Sequence, residues 1–255
     1  MENDGKLLEV RDVVKTFGGI RAVDGASLSI REQSITGLIG PNGAGKTTLF
    51  NLITGIYHAE EGSIRFRGKR IDQLFSYEVV SQGVVKTFQV PREFKNITVL
   101  ENLMLAADGH EGEQFNRIFT TPRKVWKREQ EVLARARSLL EFFELAPLER
   151  EFAKNLSGGQ KKLLEFARAL MTDPLLVMLD EPVAGVNRTL AGKILDWIKE
   201  LQEQGLTFFI IEHDMDVVMS RCETIIAMHQ GKILAEGTPT EIKGNEEVIE
   251  TYLGT

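Results

Sequence analysis

The spacing of apolar positions changes twice along the chain, and each change marks a different kind of element. In the first ninety or so residues the period is two. Leu7 to Phe17 reads as a strand closed by the turn Gly18-Gly19. Ala26-Ser27-Leu28-Ser29-Ile30 alternates as a half-buried strand, and Gly62 to Gly68 does the same with Ile64 and Phe66 on its apolar face. Ser34 to Ile39 reads as a buried strand, and Thr48 to Ile53 as a helix. From about Pro91 to Asn155 the spacing becomes helical. Val132, Ala136 and Leu140, with Leu139 and Phe143, form one face of a long helix whose other face is Arg128, Glu129, Glu131 and Arg135. Asp108 to Lys127, with Gly109, Gly112 and Pro122, reads as an irregular insertion. Beyond Leu156 helices and strands alternate. Leu175 to Leu179 and Thr207 to Ile211 are unbroken apolar runs, the mark of parallel strands covered on both faces. The pattern predicts an α/β core with a mainly helical insert, without tandem repeats or low-complexity tracts.

Composition narrows the picture. With 255 residues, 42 % of them hydrophobic, the chain can bury a sizeable core. A net charge of −6 argues against a dedicated nucleic-acid binder, which is usually basic on one face. The single cysteine, Cys222, allows no internal disulfide and fits a reducing compartment. Its bland reading, a buried inert thiol, outweighs a reactive one. The polar start Met1 to Lys6 is not read as a signal peptide. No apolar run approaches the ~20 residues needed to span a bilayer, so work at a membrane would require another protein to hold the chain there.

The strongest chemical signal is Gly40-Pro41-Asn42-Gly43-Ala44-Gly45-Lys46-Thr47, which fits GxxxxGK[ST] at every fixed position. Glycines let the backbone turn tightly and aim successive N–H groups at an anion. The helix that follows adds the positive end of its dipole. Lys46 is placed to reach the β- and γ-phosphates, and the Thr47 hydroxyl to hold Mg²⁺. Such a pattern arises by chance in roughly one chain in a hundred of this length, and the flanking strand and helix lower that further. The run Leu175 to Leu179 ends in Asp180-Glu181. Beside a phosphate loop, that pair suits metal ligation by Asp180 and polarisation of a water by Glu181. Ser157-Gly158-Gly159-Gln160 precedes an apolar-periodic helix, Leu163 to Leu170. It is either an ordinary cap and turn or a second phosphate nest, and a second nest in a chain with one lysine-bearing loop suggests closure over a nucleotide held by another chain.

Taken in order, these motifs resemble the ATP-binding subunits of ABC transporters. Gly40 to Thr47 resembles the Walker A loop and Leu175 to Asp180 the Walker B strand. Glu181 matches the catalytic glutamate, and Leu156 to Gln160 is identical to the LSGGQ signature. Gln89, in Thr87-Phe88-Gln89, matches the Q-loop glutamine. His213, in Ile211-Glu212-His213-Asp214, matches the switch histidine, and Phe17 sits where the family stacks an aromatic ring on adenine. In isolation a lone Gln, His or strand-end Phe is more often structural, and the family pattern reverses those readings. The resemblance implies a P-loop NTPase (RecA-like) core with an antiparallel β subdomain and a helical subdomain. Core and β subdomain would span 1–90 and 155–255, the helical subdomain 91–154. It implies ATP and Mg²⁺ as ligands, with Gly40 to Thr47, Thr48, Phe17 and Ser157 to Gln160 on the nucleotide. Thr47, Gln89 and Asp180 would lie at the metal, and Lys46, Gln89, Glu181 and His213 would serve catalysis.

The same resemblance implies partners. Two ATPase subunits would pack head to tail, each nucleotide between one chain's loop and the other's signature. Permease subunits would span the membrane, with the ATPase on the cytoplasmic side of the inner membrane. Phe94, Ile97, Phe115, Ile118 and Phe119 are candidates for the groove that takes the permease. Pro182-Val183-Ala184-Gly185-Val186-Asn187 departs from most of the family by ending in Asn where Asp is usual. That loop resembles the branched-chain amino acid importers (the LivG type), as do Thr87 to Pro91, Thr98 to Leu103, Asp108 to Lys127 with Thr121-Pro122, and the tail from Ala235 to Gly254. The nearest expectation is therefore one ATPase of a heterodimer serving such an importer, indirectly linked to a solute-binding protein. Urea importers and lipopolysaccharide exporters share much of the pattern. A non-transport ABC ATPase acting on DNA or ribosomes would show a long coiled-coil insertion, two fused cassettes or a basic surface, and the chain has none. The glycine spacing also excludes a GxGxxG dehydrogenase.

Overall fold

The computed structural model describes residues 5–87, 93–107 and 122–253. Gln89, Phe115, Ile118, Phe119 and the 108–121 part of the expected insertion lie outside them. Two compact units are present, one formed by 1–86 with 175–255 and the other by 87–174.

In the first unit β1 (Lys6–Phe17), β2 (Ile20–Arg31), β4 (Glu61–Phe66) and β5 (Lys69–Arg70) make an antiparallel sheet in the order β2-β1-β4-β5. Alternation along β4 buries Ile64 and Phe66, as its period predicts. The second sheet contains β3 (Ile35–Ile39), β6 (Val84–Lys86), β7 (Leu176–Asp180), β8 (Thr207–Ile211), β9 (Thr224–His229) and β10 (Lys232–Gly237). Its order is β10-β9-β3-β8-β7-β6; β10 pairs antiparallel to β9 and the remaining pairs run parallel. All five residues of β3, β7 and β8 are buried, which explains the apolar runs of β7 and β8. Leu175, expected in β7, precedes it and is exposed, while Asp180 ends the strand.

Helix α1 (Lys46–Ile53) packs Phe50 against Phe209, ring centroids 4.8 Å apart. One core joins residues of both sheets with α1, including Leu8, Val10, Ile30, Leu38, Ile64, Phe66, Met178 and Met228. Helices α6 (Arg188–Glu203), α7 (Met215–Arg221), α8 (Pro239–Lys243) and α9 (Glu246–Leu253) complete this unit with the short α2 (Ser76–Ser81).

The second unit holds α3 (Val99–Met104), α4 (Pro122–Phe142) and α5 (Gly158–Leu170). Val132, Ala136, Leu140 and Phe143 are buried, and Leu139 is half-buried. Two details differ from the sequence reading. Helix α4 begins at Pro122, so 122–127 are helical; proline is tolerated in a first turn because its missing N–H has no intrahelical partner there. Arg135, expected on the solvent face, turns in toward the Asp173 carboxylate and the Leu170 carbonyl. Residues 155–174, grouped with the core on sequence, belong to this helical unit, because α5 packs on its helices through contacts such as Phe143 with Phe166. Thr98 and Glu101 cap α3 reciprocally. The fully buried Asn102 bonds Phe94 N, Phe94 O and Thr98 O, which satisfies its amide and pins the segment carrying Phe94. Phe94 itself is exposed and Ile97 half-buried.

Candidate functional site: a phosphate loop beside a carboxylate and histidine cluster

The segment Gly40–Gly45 links β3 to α1, the strand, loop and helix order that the phosphate motif requires. Two glycines are sterically obligatory. A Cβ on Gly40 would lie 2.2 Å from Met228 O, and one on Gly45, at φ 104°, would lie 2.2 Å from Ala22 O. The Lys46 ammonium is folded back onto the loop, donating to Gly40 O at 2.6 Å and Pro41 O at 3.0 Å. Burial lowers its pKa, opposed by the charges of Glu181 and Asp180. Thr47 is exposed and Thr48 half-buried in the first turn of α1.

The parallel strands deliver the acidic cluster. β7 ends at the buried Asp180. Glu181 follows with φ 53°, a left-handed conformation, its N–H bonded to Ile211 O at 3.0 Å. That bond ties Glu181 to the end of β8, and two residues beyond Ile211 stands His213. The His213 Nε2 and Glu181 Oε1 are 2.8 Å apart, so Nε2–H donates to the carboxylate. Asp180, Glu181 and His213 are thus gathered at the carboxyl ends of adjacent strands, where open α/β sheets bind ligands.

Three neighbours went unnoticed in the sequence. Lys86 Nζ lies 3.3 Å from Asp180 Oδ2. Glu212 is buried and accepts from Val183 N at 3.3 Å and His213 N at 3.2 Å. Burial raises its pKa against those hydrogen bonds, and the nearby Glu181 charge adds to the rise. Tyr57 meets the half-exposed Phe17 edge-on, centroids 5.2 Å apart, with Lys15 Nζ 5.4 Å from the Phe17 ring. The pairs Lys86–Asp180, Glu212–Val183 and Phe17–Tyr57 are distant in sequence, so no local pattern announces them. The Glu212 signal was available: a carboxylate directly after an apolar strand rarely stays buried without a partner.

In the helical unit Ser157 caps α5. It exchanges bonds with Gln160, Ser157 N to Gln160 Oε1 at 2.8 Å and Gln160 N to Ser157 Oγ at 3.3 Å. Both readings of this motif therefore coexist. The side chains form an ordinary capping box, while the first-turn N–H groups of Gly158 and Gly159 have no carbonyl one turn earlier to bond. Asn187 caps α6, accepting from Leu190 N at 2.9 Å.

A sequence profile described as "ABC transporter" matches residues 23–184, which contain the loop, the signature and the carboxylate pair. This chain belongs to the ABC transporter ATPase family. A second profile, described as "Branched-chain amino acid ATP-binding cassette transporter", matches residues 232–255 of this ABC ATPase. It is 43 % identical to a probable branched-chain amino acid transport ATP-binding protein LivG of Archaeoglobus fulgidus, over 98 % of this chain and 96 % of that protein. It is 41 % identical to the high-affinity branched-chain amino acid transport ATP-binding protein BraF of Pseudomonas aeruginosa, over 97 % and 98 %. Among solved structures it is similar to a nucleotide-free ATP-binding cassette from an ABC transporter (TM-score 0.84, 39 % identity, 98 % of this chain and 100 % of that one). An ADP conformation of such a cassette matches with a TM-score of 0.83 at 39 % identity, over 98 % and 99 %. The ABC ATPase fold and nucleotide binding expected from the motifs are confirmed, and the chain is an ATP-hydrolysing subunit of a transporter. No helix among the described residues is long and apolar enough to cross a membrane.

Proposed function

We propose that this ATPase powers import of branched-chain amino acids from the cytoplasmic face of the inner membrane. It would work with permease subunits, a second, related ATPase and, indirectly, a solute-binding protein. The match of its last 24 residues to the branched-chain family carries the substrate class, because those residues lie outside the general ABC match.

Glu181 orients and polarises the attacking water, its carboxylate aimed by the bond to His213. His213, whose Nε2–H donates to Glu181 in this arrangement, is also a donor for a γ-phosphate brought to the loop. Lys46 exchanges its loop carbonyls for phosphate oxygens, whose negative charge favours its ammonium form. The donors for Mg²⁺ fit that ion: the Asp180 carboxylate and the Thr47 hydroxyl are hard oxygens, and Mg²⁺ characteristically takes one or two carboxylates and completes its shell with phosphate and water. Bound there, Mg²⁺ would supply charge neutralisation at the phosphates. Ser157 to Gln160 are assigned to the nucleotide of the partner subunit, with the first-turn N–H groups of Gly158 and Gly159 as donors beside the Ser157–Gln160 capping box, and the dimeric ADP- and phosphate-bound cassette among the similar structures supports an assembly of two. Gln89 keeps its assigned place at metal and water from the family pattern alone.

Purification of the tagged chain from gently solubilised membranes tests the assignment. Two polytopic subunits and a second ATPase are expected to accompany it. Recovery of an export complex, ribosomes or DNA-repair factors would contradict it.

A further inference from the structure

Lys86 ends β6 at the same edge as Asp180, and the pair is buried: the side chains are 8 % and 6 % exposed, and Nζ lies 3.3 Å from Oδ2. The ammonium is held on other sides too. It donates to Asn51 Oδ1 at 2.9 Å and lies 5.8 Å from the centre of the Phe50 ring, both on α1. An exposed ion pair contributes little. A buried one exists because an uncompensated carboxylate in that place would be strongly unfavourable. Lys46 also feels the Asp180 charge, but its ammonium is bonded to Gly40 O and Pro41 O, whereas the Lys86 ammonium lies directly against the carboxylate.

Asp180 is also the carboxylate assigned above to Mg²⁺, and the present inference rests on that reading. A divalent ion and an ammonium at one carboxylate repel each other strongly in a partly desolvated site. We propose that Lys86 is the counter-ion of Asp180 in the metal-free state, keeping the carboxylate aimed and charge-balanced and yielding it when Mg²⁺ arrives with nucleotide. Asn51 is what makes the exchange inexpensive, because the displaced ammonium retains a hydrogen-bond acceptor 2.9 Å away. Lys86 is then a positioning residue that sets metal affinity without touching nucleotide.

The test uses the full chain with ADP and Mn²⁺ as the probe, bound Mn²⁺ being read by electron paramagnetic resonance. Lys86→Met removes the competing charge and is expected to tighten Mn²⁺ binding by roughly tenfold or more, because a like charge a few ångströms away at an intermediate effective dielectric is worth more than a tenfold change. Lys86→Arg should retain the wild-type affinity. Without metal, Lys86→Met should melt at a lower temperature, and saturating Mn²⁺ with ADP should restore most of the difference. Lys86→Gln serves if the methionine variant fails to fold. Unchanged or weaker Mn²⁺ binding in the charge-removing variants, with Asp180→Asn weakening it, would overturn the role of Lys86 alone. Unchanged Mn²⁺ binding in Asp180→Asn would instead remove Asp180 from the metal.

Discussion

A left-handed backbone costs a residue with a side chain on the order of 1–3 kcal/mol, and Glu181 adopts one at φ 53°. The surrounding structure holds it there through the bond from its N–H to Ile211 O and the contact with His213. Glu181→Gln preserves the backbone and most of the size but removes the base. Phosphate release should fall by about 10²- to 10⁴-fold while nucleotide titration shows binding retained; unchanged turnover would remove Glu181 from the reaction. Gly45→Ala acts differently. Its Cβ would strike the backbone carbonyl Ala22 O, which cannot swing aside as the nearby end of Met228 could, and φ 104° strains any side chain there. Both nucleotide affinity and melting temperature should drop, measured by titration and calorimetry. Cys222 needs no such role: burial pushes its thiol up to about 12, so alkylation at pH 8 should be slow in the folded protein and fast after unfolding.

Helix ends and hairpins carry the next set of consequences. Asn187 departs from the Asp usual in the family, yet its oxygen caps α6 as an Asp would. Asn and Asp are near-equal caps, so Asn187→Asp should leave stability unchanged and Asn187→Ala should cost about 1 kcal/mol by denaturant titration. Ser157→Arg fills the approach to the first turn of α5, and ATP-dependent dimers should disappear from size-exclusion profiles while single-site nucleotide binding persists. Just after the β4–β5 hairpin Asp72 is buried, which pushes its pKa up, but bonds from Arg70, Ile64 N and Gln73 outweigh this and hold it at about 2. A pKa below the unfolded value of 3.8 stabilises the fold above pH 4, and that contribution disappears as pH falls toward 2. At pH 7 Asp72→Asn should cost about 2 kcal/mol, and below pH 2 the variant and wild type should converge.

At the scale of the molecule, what the sequence made legible is what local chemistry determines. β7 and β8 announce themselves by unbroken apolar runs, the phosphate loop by its glycines, and the cap at Ser157 by its place before an apolar-periodic helix. What stayed hidden depends on pairs brought together by topology. Lys86 meets Asp180 only because β6 lies beside β7, and Glu212 bonds Val183 only because β7 and β8 end together. The grouping of α5 with the helical unit was hidden for the same reason, since an amphipathic stripe does not say which neighbour covers it. The tail that matches the branched-chain family is built by local rules: Thr238 and Glu241 cap α8, with Pro239 in its first turn. Hydrolysis at Glu181 is proposed to drive amino-acid entry through separate membrane subunits. The most direct measurement is leucine uptake into proteoliposomes carrying the purified assembly, with ATP on the ATPase side and the solute-binding protein opposite. Wild type should take up leucine in step with phosphate release, and Glu181→Gln should abolish both. Rapid phosphate release without leucine movement, or uptake undiminished in Glu181→Gln, would contradict that role.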